Sequence, residues 1–217
     1  MVATALASHR RRGVVLARID PKELEAAFAA HAQWVQSAGA RGERLFLMNA
    51  DLSGIDWSGK DLTEAVLGGA QLVGAKLRGT KLYGALLSSA ILDGGDLSGA
   101  QLAKSEFDYI SALGTNFRAC NALRATFMEA DLRGASFENS NLTKVMFNQA
   151  NLEDTDLRAT NLDRVSFDGA RVAGVRLSGA IGLEKAFAKS VDIGRAGQSE
   201  VLHGEAALDW LRRATMR

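Results

Sequence analysis

Side chains able to act as nucleophiles or metal ligands are few in this chain, and they are scattered. Histidines stand at His9, His31 and His203, and none has a Cys or a second His at the spacing a metal site needs. Serines are plentiful, yet none lies in a nucleophile-elbow pattern with a plausible base. The glycines form neither a phosphate loop nor a dinucleotide fingerprint. The single cysteine, Cys120, cannot close an intrachain disulfide and points to a reducing compartment. These residues predict no catalytic group, no metal and no cofactor. Acidic and basic side chains remain, and their meaning depends on the elements that set them side by side.

Those elements follow a five-residue beat. From Leu47 to Leu177, every position whose number ends in 2 or 7 is large and apolar except Ala112 and Ala122. The residue two places earlier is usually small, as at Ala50, Ala70, Ala100, Cys120, Ala135 and Ala150. A helix repeats its apolar stripe at about 3.6 residues and a strand at about 2. A period of five fits neither. It fits a solenoid, whose short units turn corners and bury a continuous core by stacking. We number the positions of each unit first (small) to fifth, with the large apolar residue third.

Four units closing a square coil would repeat every 20 residues. We call the face carrying Leu52 and Leu72 the first, that of Trp57 and Leu77 the second, that of Leu62 and Leu82 the third, and that of Leu47 and Leu67 the fourth. Phe107, Phe127, Phe147 and Phe167 then fall in one column, and Phe117 and Phe137 on the opposite face. Glycine at the fifth position is concentrated on the first two faces. Because a type II turn favours Gly at its third residue, such turns are expected mainly there, with other turns on the third and fourth faces. At ~4.8 Å per layer the rod is roughly 30 Å long.

The segments Ala50–Gly54 (Ala-Asp-Leu-Ser-Gly), Gly95–Gly99 (Gly-Asp-Leu-Ser-Gly), Ala130–Gly134 (Ala-Asp-Leu-Arg-Gly) and Ala150–Asp154 (Ala-Asn-Leu-Glu-Asp) resemble the pentapeptide-repeat family. The resemblance covers about residues 45–182. It implies an all-β fold, a right-handed quadrilateral β-helix. It does not fix a function, because function resides in sites grafted on a fold.

The flanks leave the beat, which predicts three regions: residues 1–44, a tail and capping helix; residues 45–182, the solenoid; and residues 183–217, a helical cap or dimerisation segment. Arg10, Arg11 and Arg12 read as part of a partly ordered tail. Asp20-Pro21-Lys22-Glu23 is a helix start, with a capping-box Glu. The helix should run to about Ser37, stop at Gly39 and lay Leu24, Phe28, His31 and Val35 over the open first coil. His31 is expected to be structural. Lys60, at a small-residue position, should snorkel outward. Leu183–Lys189 could form a short helix and Glu205–Arg213 a better one. Leu208, Trp210 and Leu211 of the latter could cap the last coil or join two copies in a homodimer.

With faces assigned, the charges can be sorted. The fourth face has Glu106, Asp108, Glu129 and Asp168 and no Lys or Arg. The first has Asp51, Asp93, Asp131, Glu153 and Asp154 against Arg133 and Arg171. These two faces carry −7 and the other two +3. The candidate partner-binding set is Asp93, Glu106, Asp108, Glu129, Asp131, Glu153 and Asp154. Some pentapeptide-repeat proteins resemble a DNA duplex and bind gyrase or topoisomerase IV. The resemblance therefore implies a non-enzymatic, DNA-shaped rod whose acidic side enters a basic groove of DNA gyrase or topoisomerase IV. The alternative is a generic protein-interaction scaffold or secreted effector subunit. The column Lys104, Arg124, Lys144 and Arg164 on the third face reads as solvated, and Val66, Leu86, Met128 and Met146 on the fourth could form a contact patch. A net charge of +1 argues against direct nucleic-acid binding, and no apolar run is long enough to span a membrane, so a cytoplasmic protein is expected.

Overall fold

The computed structural model describes residues 17–195 and 197–216. His9 and the Arg10–Arg12 cluster lie outside the described residues. The beat folds into a four-sided coil whose layers pair in parallel at a spacing of 20 residues, as in Asp51↔Gln71, Asp56↔Lys76, Asp61↔Lys81 and Val66↔Leu86.

Backbone hydrogen bonding explains why the unit has five residues of these types. The first N–H closes the turn to the third residue's carbonyl, as Ala75 does to Leu72 at 3.0 Å. The second donates to the coil before, Gln71 to Ala50 at 2.9 Å. The third and fifth donate to the coil after, Leu52 to Gln71 and Gly54 to Val73, both at 2.8 Å. The fourth N–H takes no backbone acceptor, and where the second residue is Asp or Asn it turns to that side chain. Asp51, Asn141 and Asp156 at second positions accept it from Ser53, Thr143 and Arg158 at 3.2, 3.2 and 3.1 Å. The recurrent Asp or Asn before the central Leu is thus a backbone partner first, since a donor left unmatched there would be costly.

Inside, the third-position side chains form ladders. Phe107, Phe127, Phe147 and Phe167 follow one another with ring centroids 4.9, 5.5 and 5.8 Å apart. Phe117 and Phe137 stack at 4.6 Å and meet the first column edge-on, which fills the cross-section where Ala112 and Ala122 leave room. Small hydroxyls in the core are satisfied: Thr80 donates to the Trp57 carbonyl at 3.0 Å and Thr115 to that of Leu92 at 2.8 Å.

The turns correct one expectation. Fifth positions adopt left-handed backbone on all four faces, including Lys104 (φ 61°), Glu129 (φ 55°), Asn139 (φ 62°) and Asp154 (φ 57°). The closing bond to the third residue also occurs on every face, as in Ala85 to Leu82 at 3.0 Å and Ala70 to Leu67 at 3.0 Å. One corner geometry serves throughout, because the ladder constrains each corner alike. The uneven glycines do not mark different turns. A non-Gly residue there costs about 1–2 kcal/mol, and the surrounding bonds hold it in place.

Both ends of the coil are covered. Strand β1 (Ala17–Arg18) extends the first-face ladder by pairing in parallel with β2 (Ala50–Asp51). Helix α1 (Pro21–Gln36) then crosses the opening. Its N-cap Asp20 accepts the N–H groups of Lys22 and Glu23. Phe28 meets Trp57 edge-on at 5.0 Å. His31 is buried, and its Nδ1 accepts the Leu45 N–H at 3.1 Å, so this ring splices the helix to the first coil. Burial pushes its pKa down, despite Asp61, so it holds that bond as a neutral acceptor. Lys60 is exposed, with Nζ 5.9 Å from the Phe28 ring.

At the far end the ladder runs on past residue 182. A 3-10 turn (Leu183–Lys185), shorter than the helix expected there, adds one residue to the step. β3 (Ala170–Arg171) therefore pairs with β4 (Ser190–Asp192) at a spacing of 21, Ala170↔Val191. β5 (Val201–His203) closes the edge antiparallel to β4. Neither strand carries the five-residue signature. Helix α2 (Glu205–Ala214) lies beyond, with Ala207 and Leu211 buried in the core.

Candidate functional site

Each face is a flat ladder of second- and fourth-position side chains, so chemistry here is set by what neighbouring coils place about 4.8 Å apart. On the second face the ladder is self-neutralising. Lys81 of the third face pairs with Asp61 one coil away at 3.2 Å, and on the second Arg78 meets Asp96, Arg118 meets Glu138, and Arg158 and Arg176 converge on Asp156 at 2.8 and 3.1 Å. The Asp156 side chain is 3% exposed. Burial raises its pKa, but the bonds from Arg158 and the charge of Arg176 outweigh that and hold it below the usual carboxylate range.

The seven acidic candidates sit on two adjoining faces but in three different states. Asp93 and Asp108 serve the backbone: they accept the N–H groups of Leu113 and Met128 in the next coil at 2.9 and 2.8 Å, where the second residue of that unit is not Asp or Asn. Asp108 is buried. Asp93 also accepts the Ser111 hydroxyl at 2.7 Å, and Glu106 accepts that of Ser88. Asp131 is bound by both arms of Arg133, at 2.8 and 2.6 Å, and Asp154 faces Arg195 at 3.5 Å. The carboxylates of Glu129 and Glu153 make no hydrogen bond or ion pair with the described residues. The acidity that a partner meets is therefore led by Glu129, Glu153 and the outer oxygens of Glu106 and Asp93.

Two cations enter this side that sorting by face left out. Lys189 lies 3.9 Å from Asp168 and Arg195 lies by Asp154. Both belong to the C-terminal segment, where the beat has stopped and no face can be assigned from sequence. The basic column leans away: Lys104 Nζ sits over the Tyr83 ring at 5.0 Å and Arg164 lies 3.9 Å from Asp163, both on the third face.

The proposed dimerisation residues divide. Leu211 is buried within its own chain, and Leu208 and Trp210 pack against the core while keeping part of their surface. Leu211 is thus committed to the cap. Cys120 is buried and burial pushes its thiol up to about 12, which removes it as a nucleophile.

The repeat itself places the chain among known proteins. Residues 100–177 match the family described as a pentapeptide repeat region, and residues 47–83 and 80–110 match that described as pentapeptide repeats (8 copies). The chain belongs to the pentapeptide-repeat family. Membership assigns a right-handed β-helix to the four-sided coil. Among solved pentapeptide-repeat proteins, it is similar to HetL, involved in heterocyst differentiation regulation in the cyanobacterium Nostoc: 28% identity over 73% of this chain and 76% of that one, TM-score 0.43. It is similar to QnrB1, a plasmid-mediated fluoroquinolone resistance protein: 25% identity over 65% and 76%, TM-score 0.46. A pentapeptide-repeat protein from the Arabidopsis thaliana thylakoid lumen shares 25% identity over 76% and 87%, TM-score 0.19. No curated protein matches. A fold alone selects no function. No helix among the described residues is long and apolar enough to cross a membrane.

Proposed function

We propose that this pentapeptide-repeat protein is a non-enzymatic binding protein whose acidic side presents a DNA-like rod to a type II topoisomerase, with DNA gyrase the first partner to test. The observation that carries this reading is the uneven charge: −7 on the fourth and first faces against +3 on the other two. A duplex is also a straight rod of closely spaced negative charge, and a basic groove built for one would steer the other. Glu106, Glu129, Asp93 and Glu153 are the side chains that would meet that groove; Asp108, Asp131 and Asp154 act behind them. The likeness to QnrB1 is too distant to add to this reading.

The test is gyrase supercoiling with the purified protein, with and without a quinolone. The expected result is inhibition, or protection from the poison, at about 10 μM or below. Replacing Glu106, Glu129 and Glu153 by Gln should abolish it. An unchanged supercoiling activity across that range removes the reading.

A further inference from the structure

The fourth face is divided along its length. In its first three rungs Phe46 and Met48 are exposed and Leu86 is half-buried among Asn, Gly and Ser, Val66, expected to face outward, is buried, and no charge occurs at all. The same three rungs of every other face carry charges, such as Asp51, Asp56 and Lys76, and Asp61 and Lys81. Outward positions of this coil therefore tolerate charge, and the fold does not require its absence here. In the next two rungs the acids Glu106, Asp108 and Glu129 appear beside Tyr109 and Met128, still with no Lys or Arg. Among the coil's exposed large apolar side chains, Phe46 (47%), Met48 (39%), Tyr109 (55%) and Met146 (38%) are on this face, against Val73 on the first and Tyr83 on the third.

We propose that the fourth face docks an amphipathic helix of a protein partner, its apolar side chains over the first three rungs and its Lys or Arg side chains over the fourth and fifth. The occupant is a helix because the face offers no strand edge: the N–H groups of its second, third and fifth positions already bond from coil to coil, as in Leu47 to Val66 at 2.8 Å and Leu67 to Leu86 at 2.7 Å. Only side chains are available, so the partner must satisfy its own backbone. Its basic end follows from the acids, which have no cation of their own face opposite them. A second copy fits poorly, because this face laid on itself sets acid against acid or acid against apolar surface. Five rungs at ~4.8 Å span roughly 20 Å, the length of a helix of about 15 residues. A DNA-like surface needs no apolar half, so this inference stands independently of the topoisomerase reading.

The test measures fluorescence anisotropy on the full chain at about 0.15 M salt. The probe is a helical peptide of about 15 residues with leucines on one face of its first half and lysines in its second. Controls are the scrambled peptide and one with Glu for Lys. The probe should bind about tenfold more tightly than either. Leu86→Lys should weaken it about tenfold, and Glu106→Gln with Glu129→Gln should weaken it and flatten its salt dependence, with thermal melts unchanged. Equal binding of the scrambled peptide, or indifference to Leu86→Lys in a variant that melts normally, overturns the proposal. So does a chain lacking residues 1–16 that alone binds the probe, since its own N-terminal segment would then be the occupant. Gyrase activity is not read in this assay, so each proposal fails or survives separately.

Discussion

The second and fourth faces share one backbone, one corner geometry and one core, yet they solve opposite problems. On the second, charges are matched within and between coils until little is left over: Asp56 with Lys76, Arg78 with Asp96, Arg118 with Glu138, Asp156 with Arg158 of its own unit and Arg176 of the next coil. On the fourth, acids stand without a base of their own face and apolar side chains remain open. Since the ladder is identical under both, folding cannot account for the difference. The second face shows what a coil does with charge when only its own stability is at stake. The fourth departs from that, which makes it the side on which to look for a partner.

That comparison assumes a single interior beneath both faces, and Phe127→Ala tests the assumption hardest. Phe127 is fully buried and touches rings from both columns, with Phe117 5.8 Å and Phe107 4.9 Å away. Its loss should cost about 3–5 kcal/mol. In urea, the melt should stay a single transition when followed by circular dichroism and by Trp fluorescence. Separate transitions would mean that the faces rest on separable supports.

The next effect sharpens the contrast between faces. Asp156→Ala strips the acceptor from the Arg158 N–H and leaves two guanidinium groups beside each other. The expected loss is about 1–3 kcal/mol, toward the low end because both arginines are partly solvated. Glu129→Gln on the fourth face should change stability by no more than about 0.5 kcal/mol. Equal costs at the two sites would erase the distinction between a face that serves the fold and one that does not.

The C-terminal edge adds a pH dependence. Burial raises the Asp192 pKa, but the N–H groups of Glu200 and Gly194, the Arg171 guanidinium and the Ser199 hydroxyl together bring it down to about 2. In the unfolded chain it titrates near 3.9, so its stabilisation is present above about pH 4 and is lost as pH falls toward about 2. The contribution is about 2 kcal/mol at neutral pH. The stability difference between the protein and Asp192→Asn should therefore shrink steadily over that interval. A constant difference would show that Asp192 is not bonded as its geometry implies.

Much of this architecture was legible because the core residues repeat in phase. One slip between Leu47 and Leu177 would have moved every later side chain to another position of the unit, so the columns of phenylalanine could be read from numbers alone. Helix α1 was legible from Asp20 and Pro21, and the coil's charge ledger from face assignment. Strands β4 and β5 were not, because they are held by a 21-residue step and by backbone bonds that no side-chain period records. Nor could the candidate site be weighed residue by residue. Asp108 and Glu129 look alike in sequence, but one is buried against the Met128 N–H and the other is exposed. Asp108 is fourth in its unit and reaches the Met128 N–H one coil on, where Thr126 leaves it unmatched, whereas Glu129 is fifth, at a corner, and meets no such donor.

The corners give a small expected effect and the most direct check that all four faces are built alike. Gly134 on the first face (φ 66°) and Arg124 on the third (φ 60°) hold the same left-handed conformation. Nothing lies within 4 Å of a Cβ built at Gly134, so Gly134→Ala would introduce backbone strain without a clash. It should destabilise by about 1 kcal/mol. Arg124→Gly should gain a similar amount from relieved strain, less the entropy cost of ordering a glycine, so that its net effect is a fraction of about 1 kcal/mol and stabilising. Thermal melts of the two variants should shift in opposite directions. A loss of stability in Arg124→Gly would mean that its side chain holds the third face together, and the four corners would then not be interchangeable.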